Sequence, residues 1–558
     1  MIKGTNPILG MDFPDPDVIR VGDTFYMVST TMHFFPGCEI LRSYDLINWE
    51  HLTYVYDRLD STDAQKLKGD KHIFGKGMWA ASLRYHEGTY YMVFVANDTG
   101  KTYLYRAENI EGPWRKSLIE GFYHDSSLLF DEGRIFIVYG NTDVYLTELN
   151  SELTGPLEGG LHRLIVSDKG NSMLGYEGSH LYKIKGRYYL FLIHSARDQW
   201  MRREAVFSSD SLEGDFVGGD VLSDDMGRPH MGAAQGGIVD DVYGNWYSIV
   251  FQDCGAVGRI PVLVPVTWEN VTEDGNVYEA PVFGIDGKVP MELELSSTRP
   301  DHVYAPLYGS DDFKDNYFRE FCLGSSTSFD RRLYGCFGLK SFWQFSHEPD
   351  LSLVDVDKEK GTLRISTDKI CTNIHQAGNV LTQRMMSPGC IGEVTISGKD
   401  LKEGDMAGLA VYQGNYIWVG ITRRQGKLYA LTASFTSKED TWTLSKEPGE
   451  ESELTLLDTD TLRVRLDTTF EVNGAKLELV HDVVETSEKE EVSEKDTVVG
   501  DRAECSIYIN GEWKRIGPTH KLSFRLDYFT GARFGLFVYS TNQTGGTAQF
   551  SDFTLNRR

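Results

Sequence analysis

The stretch DFPDPDVIR, residues 12–20, places the aspartate Asp15 between two prolines and directly before an apolar strand. Proline fixes its own φ angle and biases the preceding residue towards extended backbone. We therefore expect the Asp15 carboxylate to be held with little freedom at the entrance of a strand. This is the first of five places where a polar residue precedes an apolar strand that runs into a glycine-centred turn.

The five turns share one layout, in which an aromatic residue follows the turn glycine at the same offset. Glycine allows the positive φ of a tight hairpin, and aromatic residues favour the strand after it. Repeats of this kind, built from four short strands, are typical of a β-propeller. The alternative is a run of unrelated hairpins in a sandwich. The glycine and aromatic pairs are Gly22 and Phe25, Gly88 and Tyr91, Gly133 and Phe136, Gly186 and Tyr189, and Gly244 and Tyr247.

The propeller prediction assigns a ring of residues to one end of the central axis, at the starts of the five inner strands. Three of the five are carboxylates, and like charges in one concave site cost energy and perturb each other's pKa values. Each acid alone could be a turn or capping residue, but three at equivalent places predict a catalytic site. The ring consists of Asp15, Ala81, Asp125, Glu177 and Gln235.

The rest of the chain predicts an all-β protein in two parts. We expect a propeller over residues 1–277, a linker packed on it over 278–309, and a β-sandwich over 310–558, where short strands such as YIWVGITRR (416–424) follow one another. The charged run ETSEKEEVSEKD (485–496) predicts a mobile hairpin insertion.

Composition restricts the partners. A formal charge of −26 argues against nucleic acid and is compatible with a neutral ligand such as a sugar. No apolar run reaches the roughly 20 residues that a membrane span needs. Seven scattered cysteines and the absence of a secretory signal predict reduced thiols and a cytoplasmic location.

Six segments resemble glycoside hydrolase family 43, the β-xylosidases and α-L-arabinofuranosidases, in the family's order. They are FPDPDVIRVGDTFYMVSTTMHFFPG (13–37), GMWAASLRYHEGTYYMVF (77–94), HDSSLLFDEG (124–133), YEGSHLYKIKGRYYLF (176–191), AQGGIVDDVYGNWY (234–247) and GAVGRIPVLVPVTW (255–268). The resemblance implies that Asp15 is the general base, that Glu177 is the general acid, and that Asp125 orients the acid and raises its pKa.

The resemblance also implies a set of substrate-binding residues. Arg259 is similar to an arginine that contacts the sugar in the deepest subsite, and its alternative is a surface ion pair. Trp79, Phe34 and Phe35 are expected to pack against a sugar ring, although the two phenylalanines could equally belong to the core. Gln235 stands where many members have a channel histidine that contacts calcium or water. No cofactor is required, and a structural calcium ion is an alternative.

The resemblance and the paired acids together predict an inverting, exo-acting hydrolase of xylo-oligosaccharides or arabinoxylan, with a concanavalin-like sandwich that braces the propeller. Two alternatives stay open. The first is a retaining fructosidase-like enzyme, in which the first aspartate is a nucleophile. The second is a sugar-binding propeller without catalysis. Neither the preferred sugar nor the oligomeric state can be predicted from the sequence.

Overall fold

The computed structural model describes residues 1–273, 276–324, 329–437, 446–471, 500–523 and 528–558. Within them, strands dominate, with one α-helix (Phe318–Cys322) and three short 3-10 helices (Gly255–Val257, Leu351–Leu353 and Ile374–Gln376). The predicted insertion at 485–496 lies outside the described residues. None of the described helices has the length and apolar character that crossing a bilayer requires.

Five antiparallel sheets in chain order form the blades of a propeller, so this prediction is confirmed. Blade 1 contains Asp17–Val21, Thr24–Ser29, Gly37–Ser43 and Glu50–Tyr56. Blade 2 contains Met78–His86, Thr89–Ala96, Lys101–Ala107 and Arg115–Ile119. Blade 3 contains Ser127–Asp131, Arg134–Asn141, Asp143–Leu149 and His162–Ser167. Blade 4 contains Glu177–Ile184, Arg187–Ser195, Arg202–Ser209 and Val217–Leu222. Blade 5 contains Ala233–Ala234, Ile238–Asp240, Trp246–Asp253, Arg259–Glu273 and Asn276–Phe283.

The repeated glycine lies in the hairpin that joins the first two long strands of each blade. All five glycines have positive φ, which is costly for any other residue. The φ angles are 64° at Gly22, 82° at Gly88, 78° at Gly133, 87° at Gly186 and 88° at Gly244. The local sequence thus determines where every blade turns.

The first strands of blades 1 to 4 contact one another in order, and the first strand of blade 1 also contacts Ile238–Asp240 of blade 5. A side chain of one blade accepts a backbone N–H of the next at three junctions: Asp17 from Leu83 (2.7 Å), Ser82 from Leu128 (3.2 Å) and Ser127 from Leu181 (3.1 Å). Asp17 and Ser127 lie two residues after Asp15 and Asp125. In blade 2 the register shifts between Met78 and Ala81, as it does in blade 4 between Glu177 and His180, so the predicted ring position Ala81 lies at an irregularity of its strand.

The ring closes between blades 5 and 1. Arg20 donates to the backbone oxygen of Asp240 (2.8 Å) and to its carboxylate (2.7 Å). The N-terminal strand Ile2–Thr5 pairs with Glu292–Leu295, a strand that follows the propeller. The outer strand of blade 5 runs from Asn276 to Phe283, so the predicted boundary at 277 lies within that strand.

The C-terminal half is a β-sandwich, as predicted. One sheet contains Gln344–Ser346, Leu381–Arg384, Asp405–Tyr412, Tyr416–Arg424, Lys427–Phe435, Glu450–Glu451, Thr455–Leu456 and Arg533–Ser540. The other contains Val354–Asp357, Thr362–Ser366, Gly389–Ser397, Thr461–Thr469, Arg502–Ile509, Glu512–Lys521 and Thr547–Arg557. A large apolar cluster continues from the propeller into this sandwich, so the two halves share buried surface.

One propeller segment joins a sheet of the sandwich. Phe34–Phe35 pairs with Gln344–Ser346, and the Arg533 guanidinium lies 3.6 Å from the Phe34 ring centroid. Main-chain hydrogen bonds and buried rings therefore hold the two halves together. This contact fixes the sandwich beside the end of the propeller that carries the ring of acids.

Candidate active site

Residues 12–17, which we call the strap, lead into blade 1 and hold Asp15 in an unusual conformation. Its φ is 52°, a region that costs a non-glycine residue of order 1 kcal/mol or more. The backbone oxygen of Pro14 accepts from the Ser29 hydroxyl (2.8 Å) and the Thr30 N–H (3.1 Å). These contacts maintain the strain, and they agree with the expectation that Asp15 has little freedom.

Arg259, the first residue of its strand in blade 5, binds the same strap. Its Nη1 donates to Asp15 Oδ1 (2.8 Å), and its backbone N–H donates to Asp12 Oδ1 (2.7 Å). Burial lowers the pKa of Arg259, but the carboxylates of Asp15 and Asp253 outweigh burial and raise it. Arg259 is therefore not in a surface ion pair. It is a buried partner of Asp15, and losing one partner would leave an uncompensated charge.

The other two acids meet at the junction of blades 3 and 4. Ligating atoms of His124, Asp125 and Glu177 all lie within 4.8 Å of one another. His124 Nε2 lies 3.7 Å from Asp125 Oδ1 and 3.6 Å from Glu177 Oε2. Asn141 Nδ2 donates to Glu177 Oε2 (2.7 Å), so Glu177 is oriented from blade 3.

His124 affects the pKa values of both acids in this cluster. Burial, Glu177 and Asp15 raise the pKa of Asp125 to about 7, against the opposing effect of His124. Burial lowers the pKa of His124, but Asp125 and Glu177 raise it to about 9. Burial favours protonated Glu177, but His124, Arg202 and Arg259 together outweigh burial and lower the pKa of Glu177. The resemblance implies that Asp125 raises the pKa of Glu177, whereas in the free site the pKa of Glu177 is lowered and that of Asp125 is raised.

Two further predicted site residues, Trp79 and Gln235, lie close to the acid pair. The Trp79 ring lies 5.5 Å from that of His124, beside the acid pair. Gln235 has φ 62°, similar to the 52° of Asp15 and the 47° of Asp125. A side chain on Gly178 would lie 2.7 Å from Gln235 Cγ, so Gln235 packs next to Glu177. Blades 1, 3 and 5 thus use one strained conformation at the same end of the axis.

The prediction that Phe34 and Phe35 face a sugar ring is corrected by the structure. Each side chain is 1% exposed. Phe34 belongs to an apolar cluster shared with the sandwich, and Phe35 belongs to the cluster between blades 1 and 2. The strand pairing described above turns both rings into core, which is the alternative that the sequence leaves open.

The sandwich supplies an aromatic residue that the sequence analysis misses. The Phe529 ring lies 5.7 Å from the Trp79 ring and 5.4 Å from the Arg259 guanidinium. Arg202 of blade 4 also lies at the site without being predicted, and its Nε donates to Asp253 Oδ2 (2.7 Å) beside Arg259. Phe529 has no repeat to reveal it. In the sequence, the only indication of His124 and Arg202 is that each lies close to a predicted element.

The central channel, which we define by Asp17, Arg84, Ser127, His180 and Gly237, does not suit a calcium ion. Calcium takes six to eight oxygen ligands. Both oxygens of the Asp17 carboxylate are engaged, Oδ2 by Arg84 Nη1 (2.7 Å) and the Leu83 N–H, and Oδ1 by His180 Nδ1 (3.1 Å). A guanidinium already supplies the positive charge in this channel.

The raised pKa of Asp125 predicts how stability depends on pH. A buried acid with a raised pKa binds a proton in the folded state more strongly than in the unfolded state, so its contribution is lost as pH rises from about 4 through about 7. We expect the melting temperature of Asp125→Asn minus that of wild type to be larger at pH 8 than at pH 5. Asp286→Asn, at an exposed turn, is the control and should follow wild type. A constant difference between Asp125→Asn and wild type would contradict the pKa assignment.

Comparisons with known proteins agree with this geometry. The family model for glycosyl hydrolases family 43 matches residues 4–275, and the model for the beta xylosidase C-terminal concanavalin A-like domain matches residues 338–488. A non-reducing end alpha-L-arabinofuranosidase of Bacteroides ovatus is 27% identical over 494 residues, which is 85% of this chain and 86% of that protein. A beta-xylosidase of Formosa agariphila is 24% identical over 483 residues, 75% of this chain and 74% of that one.

A solved structure of a bifunctional GH43-CE protein of Bacteroides eggerthii is 36% identical and superimposes with a TM-score of 0.82. It covers all of this chain, which spans 64% of the solved one. The family models match both the propeller and the sandwich, and the acids lie together where the two halves meet. The chain belongs to glycosyl hydrolase family 43.

Proposed function

We propose that the protein is an inverting, exo-acting hydrolase that releases terminal β-D-xylose, α-L-arabinofuranose or both from xylo-oligosaccharides or arabinoxylan. The observation that carries the proposal is the arrangement of its acids. One carboxylate, Asp15 at the entrance of blade 1, accepts a hydrogen bond from Arg259 of blade 5. Two further carboxyl groups, Asp125 and Glu177, lie beside His124 between blades 3 and 4.

An inverting enzyme needs two carboxyl groups on opposite faces of the sugar, with room for one water molecule. In our proposal Asp15 removes a proton from that water as its oxygen attacks the anomeric carbon. Glu177 donates a proton to the glycosidic oxygen as the bond to the leaving group breaks. The proton taken up by Asp15 and the one given by Glu177 balance. Water and side chains supply every group, so no cofactor is required.

Asp125 and His124 would supply the acid's proton. With His124 charged and Asp125 protonated, the cluster already contains the proton that Glu177 must donate. Moving it from Asp125 to Glu177 leaves the net charge of the cluster unchanged, so the transfer avoids creating a new buried charge. The short separation within the cluster, at most 4.8 Å between ligating atoms, favours such a transfer.

The sugar preference is supported by the relatives, one described as an arabinofuranosidase and one as a beta-xylosidase. Trp79 and Phe529 offer apolar faces on which a sugar ring can pack, and Arg259 offers guanidinium donors beside them. Gln235 would contribute from blade 5. The formal charge of −26 disfavours nucleic acid as a partner. All seven cysteines, each within the described residues, are unpaired, which supports the proposed cytoplasmic location.

The first test concerns the base. The purified protein should hydrolyse the p-nitrophenyl glycosides of xylose, arabinofuranose or both, and Asp15→Asn should lower kcat by about 100-fold or more while sugar binding persists. Asp286→Asn should retain full activity, since its side chain is exposed in a distant turn. Near-wild-type activity of Asp15→Asn would remove Asp15 from the mechanism, and an inactive wild type that still binds the sugars would favour a binding propeller.

The second test concerns the acid. A good leaving group needs little protonation, whereas a sugar leaving group needs it fully. Glu177→Ala should therefore lose far more kcat on a xylo-oligosaccharide than on a dinitrophenyl glycoside, measured in parallel on one protein preparation. Equal losses on both substrates would contradict an acid role for Glu177.

A further inference from the structure

The Arg84 guanidinium in the central channel makes contacts with blades 1, 2 and 3. Nη1 donates to Asp17 Oδ2 (2.7 Å) and to the Leu83 oxygen (2.7 Å). Nε donates to the Leu128 oxygen (3.0 Å), and Nη2 donates to Ser127 Oγ (2.6 Å). Because the planar fork has fixed donor directions, these bonds determine the position of Asp17 relative to blades 2 and 3.

The other two blades complete the enclosure. His180 of blade 4 contacts Asp17, and the Arg84 guanidinium lies 5.0 Å from the Tyr182 ring centroid. In blade 5, a Cβ added to Gly237 would lie 1.9 Å from the Tyr182 hydroxyl, so the channel has no space for another side chain there. Asp17 is fully buried. The guanidinium is thus the charge that compensates Asp17 on the axis.

This ion pair lies next to the proposed base. Asp17 is two residues after Asp15, and Pro16 between them has a restricted φ. Asp15 itself has the strained φ of 52° and is held from the other side by Arg259. If Asp17 loses Arg84, only the Leu83 N–H and His180 still bind its carboxylate. That side of the strap is then held more weakly, and the Asp15 carboxylate can relax away from its position.

We propose that Arg84 is a positioning residue for Asp15, and that its guanidinium is the fixed cation of the central channel in place of a metal ion. The first half of the proposal rests on the function proposed above. The second half stands independently, because it concerns only what the channel can bind.

The activity test compares three variants. Arg84→Met removes the cation but keeps an unbranched apolar stem, and Arg84→Lys keeps the charge without the fork. Arg20→Met is the matched control. Arg20 also links blade 1 to a neighbouring blade through an aspartate, and it lies at the far end of the strand that contains Asp17. We expect Arg84→Met to lower kcat by about 100-fold with little change in KM, as a displaced catalytic group does. Arg84→Lys should be intermediate, and added guanidinium should partly restore Arg84→Met.

The control separates positioning from stability. Melting temperatures of all variants are recorded, and kcat is measured well below the lowest of them. Arg20→Met should keep a kcat close to wild type even if its melting temperature falls. Equal kcat values for Arg84→Met and Arg20→Met, or a loss that guanidinium does not restore, would show that Arg84 only stabilises the fold. If Arg84→Met does not fold, Arg84→Lys provides the same comparison.

The metal test needs no substrate. The melting temperature of wild type is measured with EDTA and with millimolar CaCl₂. We expect no difference, whereas a ligand that binds the folded state would raise it. A calcium-dependent rise that Arg84→Lys abolishes or enlarges would overturn the channel assignment. If wild type hydrolyses neither sugar, the proposed function fails, and this measurement still decides which cation the channel uses.

Discussion

The ion pair between Arg259 and Asp15, with the backbone contact from Arg259 to Asp12, is the constraint on which the rest of the structure depends. It joins the start of blade 1 to blade 5, so it contributes to closing the propeller. The same Asp12 accepts from the Gly531 N–H of the sandwich (2.8 Å), and its backbone oxygen accepts from Arg384 (2.7 Å). Ring closure, docking of the sandwich and placement of the first acid therefore share one short strap.

The charges around this strap favour protonation of a carboxyl group. Four acids lie beside three cationic groups, and a low-dielectric site penalises the excess negative charge. His124 lies 3.6 Å from Glu177 and 3.7 Å from Asp125, and the pKa of Asp125 is raised whereas that of Glu177 is lowered. The cations are Arg202, Arg259 and His124, and the acids are Asp15, Asp125, Glu177 and Asp253.

The sequence predicts those features that local chemistry determines. Each hairpin needs a positive φ at one residue, so glycine marks it, and the aromatic residue at a fixed offset identifies the repeat. Asp15, Asp125 and Glu177 are found in the same way, because each precedes an apolar strand. Contacts between distant segments leave no such pattern. Phe34 and Phe35 pair with a strand about 310 residues later, and Phe529 reaches the site from a sandwich loop.

Local irregularities and side-chain directions also leave no pattern in the sequence. The register of blade 2, for example, shifts between Met78 and Ala81. The protonation of the acid pair depends on His124, whose side-chain direction no spacing rule provides. The position of Arg84 is not predicted either, because a charged residue in a strand is usually assigned to solvent. Only the assembled ring shows that it lies on the axis, bound to Asp17.

In the proposed mechanism, Asp15 activates water and Glu177 protonates the leaving group on opposite faces of the sugar. Proton NMR of the sugar first released from a glycoside, recorded before mutarotation, measures the stereochemical outcome of this mechanism. We expect the anomeric configuration of that sugar to be inverted relative to the substrate. Retention would contradict it, because retention requires a covalent intermediate and would make Asp15 a nucleophile, as in the fructosidase-like alternative.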